Sequence, residues 1–205
     1  MAWAPALCLL GLAALALPID VPLSRWITGA ALPGDLRRFV DLGEIFGHGL
    51  GVAVIVVALY NLDPPKRWAI PRLLAMTYSG GLLANAIKFL VVRTRPRGFD
   101  LATGHVWQTL QAWTWQRSSL NESFPSAHTA TAVAFAVALG AMYPHARRFF
   151  FALAVSVGVQ RITSGAHFAS DVCAGAAVGW FVAAIWLRLP GSAGWLRRLS
   201  PSSPP

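Results

Sequence analysis

The stretch ATAVAFAVALGA, residues 130–141, alternates alanine with larger apolar residues and contains no charged side chain. A second stretch of the same kind, CAGAAVG, covers residues 173–179. Small residues let apolar helices approach each other closely, which is how helices associate in a membrane. These two stretches therefore predict closely packed membrane helices.

The whole composition supports this interpretation. Hydrophobic residues make up 56% of the 205 residues, and charged residues only 12%, about half the share of a soluble domain. The net charge of +9 is accompanied by no basic helix, aromatic nucleic-acid motif or zinc spacing. We therefore exclude nucleic acid and expect anionic lipid and an anionic substrate as partners.

Cys8 and Cys173 lie in apolar runs and are expected to be small buried hydrophobes.

Six apolar segments have lengths close to the roughly 20 residues that span a bilayer. They predict an all-α, six-transmembrane-helix bundle forming one domain over residues 1–199, followed by a disordered tail at 200–205. The first segment could instead be a cleaved signal with its site at Ala14–Ala16. No positive charge precedes it, so we favour a retained helix. The segments are 2–18, 46–62, 70–92, 127–143, 149–166 and 170–188.

The loops predict the orientation of the bundle. Residues 63–72 and 144–148 are short and basic, which assigns them and both termini to the cytoplasm. The opposite side contains nearly as many cations, so the assignment requires that the outer cations have another role. Three polar clusters lie on that outer side: KFLVVRTRP (88–96), FPSAH (124–128) and RITSGAHFASD (161–171). Ionisable groups at membrane depth are candidates for function.

Each cluster can contribute to binding or transforming an anion. Lys88 and Arg95 are seven residues apart, two helical turns, and can share one face. Ser126 can cap a helix whose first N–H groups bind an anion, with His128 in the same turn. In the third cluster Arg161 adds a cation. If the third cluster is helical, the carboxylate of Asp171 can accept a hydrogen bond from His167 and leave the other ring nitrogen nucleophilic.

Three cations suit the three equatorial oxygens of a phosphoryl group in transfer. One histidine could attack phosphorus while the other protonates the leaving oxygen. With these residues, the sequence resembles the type 2 phosphatidic acid phosphatase superfamily. The family signature is a lysine, six residues and Arg-Pro; then Pro-Ser-Gly-His; then Ser-Arg, five residues, His, three residues and Asp. Here it reads Lys88…Arg95-Pro96; Pro125-Ser126-Ala127-His128; Gln160-Arg161…His167…Asp171.

The resemblance implies a metal-independent phosphoric ester hydrolase without a cofactor, acting through phosphohistidine. His167 would be the nucleophile, Asp171 would orient it, and His128 would be the acid and then the base. The phosphate ligands would be Lys88, Arg95, Ser126, Ala127 and Arg161. Two residues depart from the pattern. Ala127 replaces glycine, adding a methyl group and losing the freedom to adopt a positive φ. Gln160 replaces serine, which puts a hydroxyl contact in doubt.

The resemblance also implies a lipid phosphate substrate and a bacterial inner membrane, with the site facing the periplasm or exterior. Family substrates include phosphatidic acid, phosphatidylglycerol phosphate, polyprenyl diphosphate and lipid A phosphate. The loop 97–123, with Trp107, Trp113 and Trp115, is the expected specificity element. The alternatives are a non-hydrolytic anion carrier or inactive relative, and other chemistry such as a haloperoxidase. The carrier leaves the histidine and aspartate spacings unexplained, and the apolar spans argue against the soluble haloperoxidases.

Overall fold

The computed structural model describes residues 3–30, 33–115 and 118–199, and within these ranges the regular structure is helical. Short 3₁₀ turns connect several of the α-helices, and backbone bridges from Arg93 to Leu110 and Glu122 give the outer loop some order. The α-helices are α1 (Ala4–Ala16), α2 (Asp20–Gly29), α3 (Gly34–Leu42), α4 (Gly49–Leu62), α5 (Ile70–Lys88), α6 (Ala127–Met142), α7 (Arg147–Thr163), α8 (Ala169–Trp186) and α9 (Ser192–Leu199).

Every apolar segment marked in the sequence contains a helix, namely α1 and α4 to α8. The all-helical class is therefore confirmed. The sequence predicted neither α9 nor the pair α2 and α3, which fill residues 20–42 with shorter and more polar helices. Prolines at positions 18, 22 and 33 interrupt the apolar pattern there, and Pro18 lies in the 3₁₀ turn that joins α1 to α2.

Helix α6 is the centre of the bundle and packs against α5, α7 and α8, while α1 lies along α8. Most of its alanines are buried, with Ala130, Ala134 and Ala138 at 0% exposure. Gly175 and Gly179 of α8 face the α6 backbone so closely that an added Cβ would clash with the carbonyls of Ser126 and Ala130. The small residues therefore permit the close helix approach that the sequence predicted.

Two helical runs, Ala4–Gly29 and Ala169–Trp186, are long and apolar enough to cross a membrane, judged by length and composition within the described residues. A third span results if Gly34–Phe46 and Gly49–Leu62, which meet at 72°, are counted as one bent span. Large apolar side chains such as Leu15, Leu50 and Leu82 point outward, as lipid contact requires. The chain has the character of an integral membrane protein, and the count of six spans stays a prediction.

Two of the sequence-based expectations concern the ends of the chain. The disordered tail at 200–205 lies outside the described residues. Helix α1 packs along α8, with the rings of Trp3 and Phe181 5.2 Å apart, and its Ala6 and Ala13 are buried. The retention of α1 as a helix of the mature protein stays a prediction.

Candidate active site

The three polar clusters meet at one end of the bundle. Lys88 is the last residue of α5, Ser126 precedes α6, and Arg161 lies in the last turn of α7. His167 and Asp171 lie at the entry to α8, where the Asp171 carbonyl accepts a hydrogen bond from the Ser126 N–H at 3.0 Å. The structure therefore brings the three motifs together at one end of the bundle.

His167 is buried, at 1% exposure, and its Nδ1 lies 2.6 Å from the carbonyl oxygen of Ser123. A carbonyl can only accept, so Nδ1 carries the proton and Nε2 is left with a free lone pair. Burial lowers the pKa of His167 well below its ordinary value, and the positive charges of Lys88, Arg95 and Arg161 lower that pKa further. The imidazole is therefore neutral at neutral pH, which is the state a nucleophile needs.

The direct hydrogen bond expected between His167 and Asp171 is not formed. Nδ1 of His167 and Oδ2 of Asp171 are 3.9 Å apart, beyond hydrogen-bond distance. The chain is extended at Phe168 and α8 begins only at Ala169, so the two residues do not share one helix. Asp171 Oδ2 accepts instead from the Ser123 hydroxyl at 2.6 Å and from the Phe168 N–H at 2.8 Å. Asp171 is thus connected to the ring through Ser123, whose hydroxyl donates to Asp171 and whose carbonyl oxygen lies against Nδ1 of His167.

A buried arginine to which the sequence assigned no role, Arg93, binds Asp171. Arg93 is 1% exposed, and its Nη1 lies 2.5 Å from Asp171 Oδ1 while its Nη2 lies 2.8 Å from Asp20 Oδ2. Asp20 also accepts from the N–H of Ser170 at 3.0 Å and from its hydroxyl. One guanidinium therefore ties the start of α2 to the start of α8.

Arg95, one of the phosphate ligands expected from the sequence, has a buried donor without a partner. Arg95 Nη2 donates to the Glu122 carbonyl at 3.4 Å. Its Nε is one of three buried side-chain nitrogens within the described ranges that have no hydrogen-bond partner. Burial lowers the pKa of Arg95, and the positive charge of Arg97 lowers it further, yet a guanidinium stays charged at any physiological pH. A buried unpaired donor is costly, and an oxyanion would satisfy it.

The start of α6 has the form that the sequence predicted. Ser126 is the N-cap, and its Oγ accepts from the N–H of Thr129 at 3.4 Å and the hydroxyl of Thr129 at 3.0 Å. Its own N–H is used by the Asp171 carbonyl at 3.0 Å. The donors left for an anion are the Ser126 hydroxyl and the first N–H groups of the helix, which have no intrahelical acceptor.

His128 lies in the first turn of α6, with 30% of its side chain exposed. It borders a cavity of about 240 Å³ that is also lined by His48, Tyr78 and Asn85. Its Nε2 is 3.5 Å from Oε1 of Glu44, whose Oε2 lies 2.7 Å from Arg161 Nη2. His128 therefore opens onto this cavity and is linked through Glu44 to Arg161 of the third motif.

A family model described as the PAP2 superfamily matches residues 69–195, and this range includes all the site residues that the sequence signature proposed. The chain belongs to the PAP2 superfamily. This is the family of type 2 phosphatidic acid phosphatases that the three motifs resemble.

Two curated relatives are lipid A 1-phosphatases of Rhizobium. The protein of Rhizobium etli is 33% identical over 138 residues, which are 67% of this chain and 57% of that relative. The protein of Rhizobium johnstonii is 40% identical over 102 residues, covering 49% of this chain and 40% of that relative. The chain thus spans less than two thirds of the length of these relatives.

Two solved structures share the fold of this PAP2 member. LpxE of Aquifex aeolicus superposes with a TM-score of 0.62 at 24% identity, covering 83% of this chain and 95% of that one. The transmembrane PAP2-type phosphatidylglycerolphosphate phosphatase of Bacillus subtilis gives a TM-score of 0.67 at 20% identity, with 98% of each chain covered. At these identities the likeness establishes the fold alone.

The departures of this PAP2 chain from the family motif can now be located. Ala127 is the first residue of α6, and no residue other than glycine has a positive φ within the described ranges, so this position does not need glycine. Gln160 is buried. Its Oε1 accepts from Arg161 Nε at 2.6 Å, and its Nε2 donates to Asp41 at 3.3 Å. The amide thus holds the arginine in place.

Sequence reasoning missed Asp20, Glu44, Arg93 and Ser123. Arg93 lies within the first motif and Ser123 immediately precedes the second, but neither position belongs to the family signature. Asp20 and Glu44 precede the motifs by many residues. Their one available signal was an acidic residue beside an apolar run, which is too common to identify a site.

Proposed function

We propose that this chain is an integral membrane phosphatase that hydrolyses a lipid phosphate monoester or diphosphate through a phosphohistidine at His167. The observation that carries the proposal is the buried, neutral His167, whose Nδ1 is bound to the Ser123 carbonyl at 2.6 Å and whose surroundings contain Lys88, Arg95 and Arg161. A neutral imidazole with one free nitrogen, facing three cations, is suited to attack a bound phosphoryl group.

In the proposed first step, the three cations and the start of α6 bind the phosphoryl oxygens. The lone pair of His167 Nε2 forms a bond to phosphorus, and the bond from phosphorus to the lipid oxygen breaks. His128 gives its proton to that leaving oxygen, because an alkoxide is a poor leaving group. The accumulated positive charge stabilises the oxygens of the transition state, as in other phosphoryl transfers.

In the second step, His128 takes a proton from water, and the resulting hydroxide attacks phosphorus. The bond between phosphorus and His167 Nε2 breaks, inorganic phosphate leaves, and both histidines return to their starting states. Asp171 supports both steps by holding Ser123 and the Phe168 N–H. Within the described residues no group of three or more His, Cys, Asp or Glu side chains could hold a metal ion, and the proposed chemistry assigns no role to one.

The names of the two curated relatives make lipid A 1-phosphate the first substrate to test, beside phosphatidic acid, phosphatidylglycerol phosphate and polyprenyl diphosphate. The loop 97–123 is the proposed specificity element, since Trp107, Trp113 and Trp115 are all exposed there. Exposed tryptophans favour the membrane interface, where a lipid headgroup would enter.

The test is release of inorganic phosphate from each lipid phosphate in detergent, with and without excess chelator. We expect turnover of at least one lipid, unaffected by chelator and inhibited by vanadate, which can adopt the geometry of the transferring phosphoryl group. His167→Ala, checked for folding by gel filtration, should abolish it. Binding of the lipids without phosphate release would instead support the second candidate, an anion carrier.

The proposed site faces the periplasm of a bacterial inner membrane. The support is the basic character of residues 63–72 and 144–148, which favours the cytoplasmic side. A cysteine introduced at the exposed Ser118, in a background lacking Cys8 and Cys173, should react with an impermeant thiol reagent in intact spheroplasts. Labelling only after lysis would show that Ser118 faces the cytoplasm and that the proposed orientation is wrong.

A further inference from the structure

Glu44 connects the two sides of the site, although it belongs to none of the three motifs. It lies in the 3₁₀ turn Gly43–Phe46, which joins α3 to α4. Its Oε2 is 2.7 Å from Arg161 Nη2, and its Oε1 is 3.5 Å from His128 Nε2. One carboxylate therefore contacts a proposed phosphate ligand and the proposed acid at the same time.

The backbone around Glu44 is fixed by close packing. A Cβ on Gly47 would lie 2.6 Å from the His128 carbonyl oxygen, and a Cβ on Gly43 would lie 3.0 Å from Ser156 Oγ of α7. Between them, Phe46 is buried with its ring 4.9 Å from that of Phe135 in α6. The turn is therefore held against both α6 and α7, and the position of the Glu44 carboxylate follows from the fold.

The charges around His128 come from four different elements. Burial is the largest influence against a positive charge on the His128 ring, and Arg161 of α7, His48 at the start of α4 and Lys88 of α5 oppose that charge as well. Glu44 is the carboxylate that acts on the ring in the opposite direction. A carboxylate at this distance stabilises the protonated imidazole, which is the form that a general acid needs.

The two distances differ in a way that matters for a proton donor. The 2.7 Å contact between Glu44 and Arg161 is a charge-assisted hydrogen bond of normal length. The 3.5 Å separation between Glu44 and His128 exceeds the usual hydrogen-bond length. The carboxylate can therefore stabilise the charge of the ring while the Nε2 proton stays available to a leaving oxygen.

We propose that Glu44 is a positioning residue of the phosphatase reaction, holding His128 ready as the acid and occupying Arg161 until a phosphate takes its place. The proposal rests on the function proposed above. Glu44 has two opposite consequences: it promotes protonation of the leaving group, and it competes with the substrate for Arg161. Gln160 limits its movement, since its amide Nε2 lies 3.5 Å from the same Oε2.

The variant Glu44→Gln separates these two consequences because it keeps the size of the side chain and removes its charge. With a lipid phosphate we expect kcat to fall about tenfold, a part of the 10²–10⁴-fold that general acid catalysis supplies. The inhibition constant of inorganic phosphate should fall, by roughly threefold, because Arg161 loses a competing carboxylate. A merely structural defect would weaken phosphate binding together with turnover.

Two further readouts sharpen the assignment. With an aryl phosphate, whose leaving group needs little protonation, single-turnover release should change less in Glu44→Gln than with the lipid. In the pH profile of kcat for the lipid, the alkaline limb should move to lower pH, since protonated His128 is less stabilised. Glu44→Asp keeps the negative charge, but its side chain is shorter by one methylene group and places the carboxylate farther from His128. Its kcat should therefore lie between those of wild type and Glu44→Gln.

The matched control is Asp35→Asn, which removes one charge from the adjacent α3 at a side chain that is 99% exposed. Its kinetic constants should equal those of wild type. Lack of turnover by the wild-type protein would refute the proposed function, whereas failure of the Glu44 proposal shows only in the comparison of variants. The proposal is overturned if Glu44→Gln and Glu44→Asp leave kcat unchanged, or if they weaken inhibition by inorganic phosphate.

Discussion

The two ends of the helix bundle use their charges differently. At the end with the site, Arg93 bridges Asp20 and Asp171 with all three side chains at 1% exposure or less. At the other end, Lys66 pairs with Asp63 three residues earlier at 2.9 Å, with about a quarter of each side chain exposed. Tyr143, at the far end of α6, donates to the same carboxylate at 2.9 Å.

The comparison shows which charged groups depend on the tertiary structure and which do not. The Lys66–Asp63 pair is local and solvated, so forming it requires no tertiary structure and removing it leaves no charge stranded. The Arg93 cluster joins residues 73 and 78 positions apart in the chain and excludes water. Desolvating three charges is expensive, and the cluster depends on the folded chain to pair them; in return it fixes Asp171, which holds the Ser123 hydroxyl.

The largest effect expected from this comparison is that of Arg93→Ala. It leaves the buried carboxylates of Asp20 and Asp171 unpaired, which typically costs about 3–5 kcal/mol of folding free energy. We expect a strongly lowered melting temperature in detergent and loss of phosphatase activity. Melting within a degree or two of wild type would show that the cluster does not support the site.

An intermediate effect is expected from Ser123→Ala. The substitution removes the buried 2.6 Å hydrogen bond from the Ser123 hydroxyl to Asp171 but keeps the backbone carbonyl that holds His167. Loss of one buried partner costs about 1–3 kcal/mol. Denaturant titration should give this value, with kcat reduced and KM little changed. An unchanged kcat would mean that Asp171 does not act through Ser123.

The smallest effect is expected from Tyr143→Phe at the other end. It removes one partly exposed hydrogen bond, which is worth about 1 kcal/mol or less. The Lys66 hydrogen bond lowers the pKa of Asp63 below its ordinary 3.8. The contribution of Asp63 is thus present above pH 3.8 and lost only as the pH falls through its lowered pKa.

Between pH 5 and pH 8 the stability difference between Tyr143→Phe and wild type should therefore be constant, and activity should be unaffected. Thermal unfolding at several pH values measures the first, and phosphate release measures the second. A loss of activity would show that the end with Tyr143 also affects the active site at the opposite end.

The sequence predicted α1, α4 to α8 and the grouping of the motifs for clear physical reasons. Apolar runs of membrane length have few alternatives to a helix. Charged groups placed where such runs end on the same side of the bundle come close together. The N-cap at Ser126 was predictable because capping depends on local sequence.

What the sequence could not predict depends on tertiary packing. The partners of Arg93 and Glu44 come from distant segments, so no spacing rule identifies them. The hydrogen bond expected between His167 and Asp171 assumed one continuous helix, but the chain is extended at Phe168 and α8 starts later. The ring is held instead by the backbone carbonyl of Ser123. Every residue has such a carbonyl, so no side chain in the sequence indicates this contact.

The most direct test of the account is to trap the intermediate. Lipid phosphate labelled with ³²P at the scissile group should be mixed with the protein and quenched in alkali, in which phosphohistidine is stable. We predict label on the peptide that contains His167, with more label in His128→Ala supplied with an aryl [³²P]phosphate and none in His167→Ala. Turnover with label on another residue, or with no covalent label at any time during a single turnover, would contradict the account.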